Sequence, residues 1–286
     1  MGKHLYRTCL LAVPKMKKKI YAASIIISVL VFTSCTGLPA PRMNDHTAKA
    51  EIIAHRGASL RAPENTYASA VRAWELNADA VEVDIRITGD SRVIALHDFS
   101  TLRTTGKHIP VSSAHYTDIE SLDAGSYMSE VYSGEQIPLL TDLLKTVPDG
   151  KRIFLEWKDY SADPSLLTDL LLKTGFQDRC AVISFNLDAL TKIKKELPET
   201  PCYLLKLACP EEKLAAEILM LKRYSLNGLD LYHPSITEHT IKSLHEEGLS
   251  CIAWTVNSLH TARKLTAWGI DGITTNKPGW FAKHLY

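Results

Sequence analysis

Eight short apolar runs, each separated from the next by enough chain for a helix, govern what this chain can become. From Glu51 onward the runs fall at 51–55, 80–87, 152–158, 180–185, 202–207, 228–232, 250–256 and 271–275. Amphipathic stretches predict helices at 65–76, 138–147, 164–174, 187–196, 211–223, 235–247 and 258–267. Strands joined by crossovers of that length run parallel, and parallel sheets are covered on both faces, hence the near-continuous apolar blocks. Asp163-Pro164 and Asn257-Ser258 supply helix starts, and Gly175 and Gly248 sit at helix ends. Eight such units over residues 51–286 predict an α/β fold, a (β/α)8 TIM barrel. An open doubly wound sheet would carry a glycine-rich phosphate loop after its first strand, and "HRGASLRAPENT" is not one.

One link breaks the pattern. A ninth apolar run, 92–97, follows the second after only Thr88-Gly89-Asp90-Ser91, too short for a parallel crossover, so the pair predicts a hairpin. With Gly89-Asp90 as the centre of a type II′ turn, Asp84 faces Ala95 and Glu82 faces His97. Asp84 lies two residues from Glu82 and so on the same face, which gathers Glu82, Asp84 and His97. Residues 98–137 then hold few apolar side chains and many Ser, Thr, Gly and Tyr, and predict a small insertion over the catalytic face.

Two carboxylates on one face of a barrel strand need a positive partner, since unpaired they repel and one takes up a proton. Arg86 and Arg92 could salt-bridge them. A hard divalent cation held by oxygen ligands is the better solution once a third carboxylate arrives, and Glu156 of "IFLEWKDY" supplies it near the end of its strand. That end of a barrel is where active sites sit, and Lys158 points to the same face.

The first run ends abruptly in His55-Arg56-Gly57. An imidazole and a guanidinium side by side at a buried strand's end suit an anionic substrate. Trp254 ends the seventh barrel strand and faces the same mouth, either as core or as an apolar wall for substrate carbons. His108, His115, His233, His239 and His245 lack convergent partners and read as solvated. Asp98 either caps its turn or acts on His97. Lone cysteines at 180, 202, 209 and 251, with no C-x-x-C spacing, read as buried thiols. A net charge of +1 gives no support for nucleic-acid binding.

Taken in order, "AHRG…PENT", "VEVDIR", "ALHD", "LEWK", "SF" and "AWTVN…GIDGITT" resemble the glycerophosphodiester phosphodiesterase family, from about Ile52 to Pro278. The resemblance implies a (β/α)8 barrel and a divalent cation, Ca²⁺ or Mg²⁺, held by Glu82, Asp84 and Glu156. It also implies an acid–base pair of His55 and His97, without saying which is the base. Arg56 then contacts phosphate, Lys158 matches the family's E-x-K lysine, and Glu64 orients Arg56. The expected reaction is hydrolysis of a glycerophosphodiester to an alcohol and sn-glycerol 3-phosphate. Two departures stand out: Thr275-Asn276 where the family usually has Thr-Asp, and Phe99-Ser100-Thr101-Leu102-Arg103 where it often has Leu-Asp-Arg. Cleavage of lysophospholipids and a non-catalytic surface-binding lipoprotein are the competing expectations.

The amino-terminal stretch differs in kind. Lys15-Met16-Lys17-Lys18-Lys19 precedes an apolar run from Ile20 to Phe32, too short to span a bilayer comfortably, and Phe32-Thr33-Ser34-Cys35 follows. This resembles a bacterial lipoprotein signal cleaved before Cys35, with Phe32 in the place of the usual Leu. The expectation is a signal peptide over 1–35, a lipid carried on Cys35, a tether over 36–50 and an exported, membrane-anchored enzyme.

Overall fold

The computed structural model describes residues 49–286. Nine strands are formed: β1 Glu51–His55, β2 Ala80–Ile87, β3 Val93–Ala95, β4 Arg152–Trp157, β5 Cys180–Ser184, β6 Cys202–Lys206, β7 Gly228–Tyr232, β8 Ser250–Trp254 and β9 Gly272–Thr275. The longer helices are α1 Tyr67–Glu75, α4 Ser165–Thr174, α5 Leu187–Glu196, α6 Glu211–Arg223, α7 Glu238–Glu246 and α8 Leu259–Ala267, with shorter α2 Leu102–Thr105, α3 Leu140–Leu144 and α9 Pro278–His284. Parallel pairing runs β1-β9-β8-β7-β6-β5-β4-β2, and β2 pairs back onto β1, so eight strands close on themselves. This is a (β/α)8 barrel. Among the described residues no helix is long and apolar enough to cross a membrane, and Cys35 lies outside them.

The period-2 alternation of each strand divides the core in two. On β2, Val81, Val83 and Ile85 point outward into the layer beneath the helices. Inside the barrel, Ile53, Ala80, Phe154, Ala181, Tyr203 and Ile252 pack a second core that fills the lumen. Helix starts follow local chemistry: Thr66 and Ser69 form a reciprocal capping box on α1, and the Asn186 side chain accepts from the amides of Asp188 and Ala189 on α5. The four described cysteines are free and buried.

The hairpin differs from the expected register by one residue. Ile85 faces Ala95, Arg86 faces Ile94 and Ile87 faces Val93, which continues to Val83, not Glu82, opposite His97. The loop has three residues rather than two, because Ser91 adopts a left-handed φ of 63° and donates its amide to Thr88. Gly89 does not make the turn by a positive φ. It gives room: a Cβ there would meet the Ser113 carbonyl carbon at 3.0 Å, and its amide donates to Ala114 at 2.8 Å. His97 still arrives at the barrel mouth, since β3 ends at Ala95 and the chain leaves the ladder. The Leu96 amide holds Asp84 O at 3.0 Å, and the Arg86 guanidinium takes the His97 carbonyl at 2.8 and 3.0 Å.

Residues 98–137 form α2 and three short 3-10 turns around their own apolar cluster, which includes Ile94, Val111, Ile119 and Ile137. The segment docks on the β1–α1 loop through Tyr127 to the Glu64 amide, Tyr132 to the Arg61 carbonyl and Glu135 to the Ala68 amide.

Candidate active site

The β1–α1 loop explains the His-Arg-Gly run. Arg56 sits at a φ of 55°, uncommon for a side chain larger than glycine, and its amide donates to Glu82 Oε2 at 2.9 Å. Gly57 has a φ of 77°, and a Cβ on it would strike Ser69 Oγ at 2.5 Å. Glycine is therefore required where the first strand turns over the start of α1. The turn aims the Arg56 side chain back over the barrel, with Nε 3.1 Å from Asp84 Oδ2 and Nη1 2.9 Å from Glu64 Oε1.

Glu82 and Asp84 of β2 and Glu156 of β4 meet at the C-terminal end of the barrel. Each offers an oxygen within 4.8 Å of the others, and all three are buried. Asn65, in a left-handed conformation at the end of the Pro-Glu-Asn turn, clamps Asp84 twice: Nδ2 donates to Oδ2 at 2.8 Å and Oδ1 accepts from the Asp84 amide at 3.0 Å. Lys158 Nζ lies 2.6 Å from Glu156 Oε1 and 3.1 Å from Asp84 Oδ1. Neither expected salt-bridge partner reaches the cluster through its guanidinium in an ion pair: Arg86 binds Asp159 at 3.0 Å, and Arg92 forms no ion pair among the described residues.

The protein's own cations do not balance this cluster. Burial works against ionisation of Asp84, but Lys158 and Arg56 hold its carboxyl well below the usual range. Glu82 goes the other way: burial, then repulsion from Asp84 and Glu156, push it well up, and its Oε1 is buried with no hydrogen-bond partner. Glu156 is pushed up to about 7 by burial and then by Asp84. Two carboxyls that resist ionisation beside an orphaned oxygen describe an all-oxygen set short of positive charge. Such a set fits a hard divalent cation.

Two imidazoles flank the cluster, each held through Nδ1. His55 Nδ1 lies 2.7 Å from Asn276 Oδ1, and His97 Nδ1 lies 2.7 Å from Asp98 Oδ1. Burial, then the Arg56 charge, push the His55 imidazole down to about 4. Burial also lowers His97, against the pull of Asp84 and Asp98. Arg103 reaches from the insertion to bind Asp98 Oδ2 at 2.6 Å and both oxygens of Glu64 at 2.7 and 2.9 Å. A chain of contacts thus runs from His97 through Asp98, Arg103 and Glu64 to Arg56.

A cavity of about 290 Å³ joins these groups, bounded by His55, Arg56, Glu82, His97, Glu156 and Lys158 on one side. The other side is mostly apolar, with Ile183, Phe185, Leu205 and Trp254 around the single acid Asp230. Trp254 stands edge-on to Phe185, ring centres 5.9 Å apart, and donates its indole N–H to the Asp230 carbonyl at 3.1 Å. Among the other histidines, His245 departs from the solvated expectation: its side chain is largely buried and bonds Asp271 at 2.8 Å, at the opposite end of the barrel.

The sequence matches the Glycerophosphoryl diester phosphodiesterase family over residues 55–280. The chain belongs to this family. A glycerophosphodiester phosphodiesterase of Caldanaerobacter subterraneus is 30% identical over 235 residues, covering 80% of this chain and 95% of that protein. One of Bacillus subtilis is 27% identical over 249 residues, covering 81% and 85%. Among solved structures, a phosphodiesterase of Oleispira antarctica in complex with the product sn-glycerol-3-phosphate superposes with a TM-score of 0.74 at 26% identity, covering 81% of this chain and 95% of that one. The protein is an enzyme of the phosphoric diester hydrolase type.

Sequence reasoning missed Asn65, Asn276 and Asp230, and gave no role to Arg103 or Phe185. Asn65 stood inside a motif read only for Glu64. Asn276 was visible only as a departure from Thr-Asp, with no partner assigned. Asp230 had the clearest available signal, a single acid in the apolar strand "GLDLY", on the inward side of the alternation.

Proposed function

We propose that the enzyme hydrolyses glycerophosphodiesters to an alcohol and sn-glycerol 3-phosphate by metal-dependent His/His acid–base catalysis. The observation that carries this reading is a charge-deficient trio of buried carboxylates with an oriented imidazole on either side. Glu82, Asp84 and Glu156 would hold Ca²⁺ or Mg²⁺, which when bound supplies neutralisation of the phosphate's charge. Arg56 and Lys158 add the remaining positive charge, and Glu64 with Arg103 keeps the Arg56 guanidinium in place.

The two Nδ1 partners differ, and that difference supports one proton route over the other. A neutral amide oxygen on His55 leaves Nε2 with its lone pair free for the glycerol hydroxyl next to the phosphoester. His55, held neutral by burial, is the base in this scheme. Burial lowers both imidazoles, but the Asp84 and Asp98 carboxylates pull against it at His97, so in this scheme His97 is the ring that gives its proton to the leaving alcohol. Attack by the hydroxyl oxygen on phosphorus expels that alcohol and forms a cyclic phosphodiester. Water then opens the ring as the histidines exchange roles. Trp254 and Phe185 form the wall along the glycerol carbons.

The same proposal places the enzyme outside the cytoplasm on a lipid carried by Cys35, on the strength of the basic, apolar and small-residue sequence before it. Cys35→Ser should leave the protein unprocessed or unanchored. A processed, acylated Cys35→Ser species in the membrane fraction would remove the anchor from the proposal.

One observation favours the lysophospholipid reading: exposed Tyr160, Phe185, Leu207 and Tyr232 follow or end barrel strands around the mouth and exposed Phe99 follows β3, an apolar rim suited to an acyl chain. The test is turnover of glycerophosphocholine, glycerophosphoethanolamine and lysophosphatidylcholine after chelation and readdition of Ca²⁺ or Mg²⁺. Turnover of the first two that vanishes with chelation and returns with the cation is expected. Undiminished turnover in chelator, or none of either diester with either cation, would overturn the proposal.

A further inference from the structure

Asp230 is the one acid of the cavity wall that the proposed mechanism leaves without a task. It sits mid-strand on β7, pointing inward, flanked in register by Leu205 on β6 and Ile252 on β8, and Trp254 closes over its backbone. The residue is 1% exposed, Oδ1 is buried with no hydrogen-bond partner, and the side chain forms no ion pair among the described residues. It nonetheless lines the active-site cavity. Leaving such an oxygen unsatisfied is costly, and the apolar neighbours offer it nothing. A ligand in the cavity can.

The cavity's two sides dictate how a glycerol phosphate would lie. Its phosphate belongs on the side of Arg56, Lys158 and the two imidazoles, so its carbons extend across to Phe185, Leu205 and Trp254. Of the two glycerol hydroxyls, the one beside the phosphoester is the nucleophile. The other reaches the apolar side, where a hydroxyl without a partner is itself destabilised. Asp230 is the lone carboxyl there, and an oxygen of it can accept from that hydroxyl in either protonation state.

We propose that Asp230 receives the terminal hydroxyl of the substrate's glycerol and thereby restricts the enzyme to diesters whose glycerol carries no acyl chain. The proposal rests on the reading of the site as a glycerophosphodiesterase and narrows it. An acyl ester at that hydroxyl would remove the donor and bring a chain toward a closed floor, because Ile53, Phe154, Tyr203 and Ile252 fill the lumen below. The apolar rim would then serve the leaving group rather than an acyl tail.

Direct binding tests this independently of turnover. Calorimetric titration of the metal-loaded enzyme with glycerol 3-phosphate and with 2-hydroxypropyl phosphate, which lacks only the terminal hydroxyl, should show a preference of about ten- to hundredfold for the first. Asp230→Leu should shrink that gap to within about twofold, with 2-hydroxypropyl phosphate bound as before, and Asp230→Asn, which keeps an acceptor, should retain most of it. Asp230→Ala gives the same comparison if the leucine variant does not fold. Lysophosphatidylcholine should be turned over at least about a hundredfold more slowly than glycerophosphocholine by the unaltered enzyme. No gap in the unaltered enzyme, an unchanged gap in the leucine and alanine variants, or comparable turnover of the two lipids would overturn the assignment. Absence of any diester turnover, with the binding gap intact, would instead count against the proposed reaction and leave Asp230 as a hydroxyl receptor.

Discussion

Both ends of this barrel carry charged side chains, and they treat them differently. At the N-terminal end of the strands, Arg152 of β4 reaches around to β1 and binds both oxygens of Glu51, with its guanidinium 4.7 Å from the Phe154 ring centre. Asp79 accepts from the Ile52 amide at 3.0 Å and pairs with Lys151 at 3.4 Å. Asp271 accepts from the Cys251 amide at 2.7 Å and from His245 at 2.8 Å. Glu51, Asp79 and Asp271 thus each have a backbone donor or a cation, and these contacts tie elements together. At the C-terminal end, Glu82 and Asp230 each keep an orphaned side-chain oxygen, and Glu156 resists ionisation although Lys158 lies beside it. The same strands thus pass from acids that are fully paired, which stabilises, to acids that are paired only in part, which suits a site that receives a ligand.

The sharpest way to break this contrast is to remove a carboxyl from the incompletely paired end. Glu82→Gln should lower kcat by about a thousandfold or more at ordinary metal concentrations, since under the proposed metal role it deletes a carboxyl that would ionise when the cation binds. In chelator its melting temperature should match or exceed that of the unaltered protein, because the variant sheds a carboxyl that Asp84 and Glu156 repel. Near-normal kcat after metal titration would sink the metal assignment; a large loss of stability would make Glu82 structural, like the acids at the other end.

Next come the imidazoles. His55→Ala and His97→Ala should each reduce kcat by about 10²–10⁴-fold, with the double variant little worse, because in the proposed mechanism the two serve one proton cycle. Asp98→Asn should cost less than His97→Ala, since the ring remains. Stopped turnover assays on all four variants, with circular dichroism to confirm folding, decide the matter. Additive losses from the two histidine variants would mean that they act in separate steps.

How much of this was legible follows from where the information lies. Strand positions were readable because burial on both faces writes itself as apolar runs: β2 and β7 fall on residues 80–87 and 228–232 as expected. The hairpin register was not, because it turned on a left-handed Ser91, and nothing in Thr88-Gly89-Asp90-Ser91 announces that conformation over a glycine turn. Gly89 misled for a physical reason, being small to admit the backbone of the insertion rather than to bend the chain. Arg56, Glu82 and Glu156 could be gathered from spacing and strand polarity. Asn276 could not, since its hydrogen bond to His55 spans 221 residues of chain. The terminal helix α9, after Lys277, was also unread.

A smaller effect is expected at the paired end. Arg152→Met should leave kcat within about twofold, since Arg152 is far along the strand from the cavity, yet lower stability by about 1–2 kcal/mol. The loss arises because Glu51 would keep its half-buried charge without a counter-ion. Chemical denaturation with parallel kinetics reads both quantities. A drop in kcat as large as that of a histidine variant would show that the lower end reaches the chemistry, and the contrast would fail.

The subtlest test asks whether the upper end is as short of positive charge as its geometry implies. Glu156 carries a pKa of about 7 in the fold against an ordinary 4.5, so the folded state holds its proton more tightly than the unfolded chain does. Its contribution to stability is therefore fully present below about 4.5 and is lost as the pH rises through about 7. His55 acts in the opposite sense: lowered from 6.5 to about 4, it contributes above 6.5 and loses that contribution as the pH falls toward 4. The two trends oppose each other in the unaltered protein, and Glu156→Gln separates them by keeping a neutral group at that position. In chelator, the melting temperature of the unaltered protein relative to Glu156→Gln should fall steadily between pH 4.5 and 7. Saturating Ca²⁺ or Mg²⁺ should reverse the trend, because a bound cation favours the ionised carboxylate and links metal affinity to rising pH. A difference that stays flat with pH in chelator would mean that Lys158 alone satisfies Glu156, and the upper end would then be as fully paired as the lower.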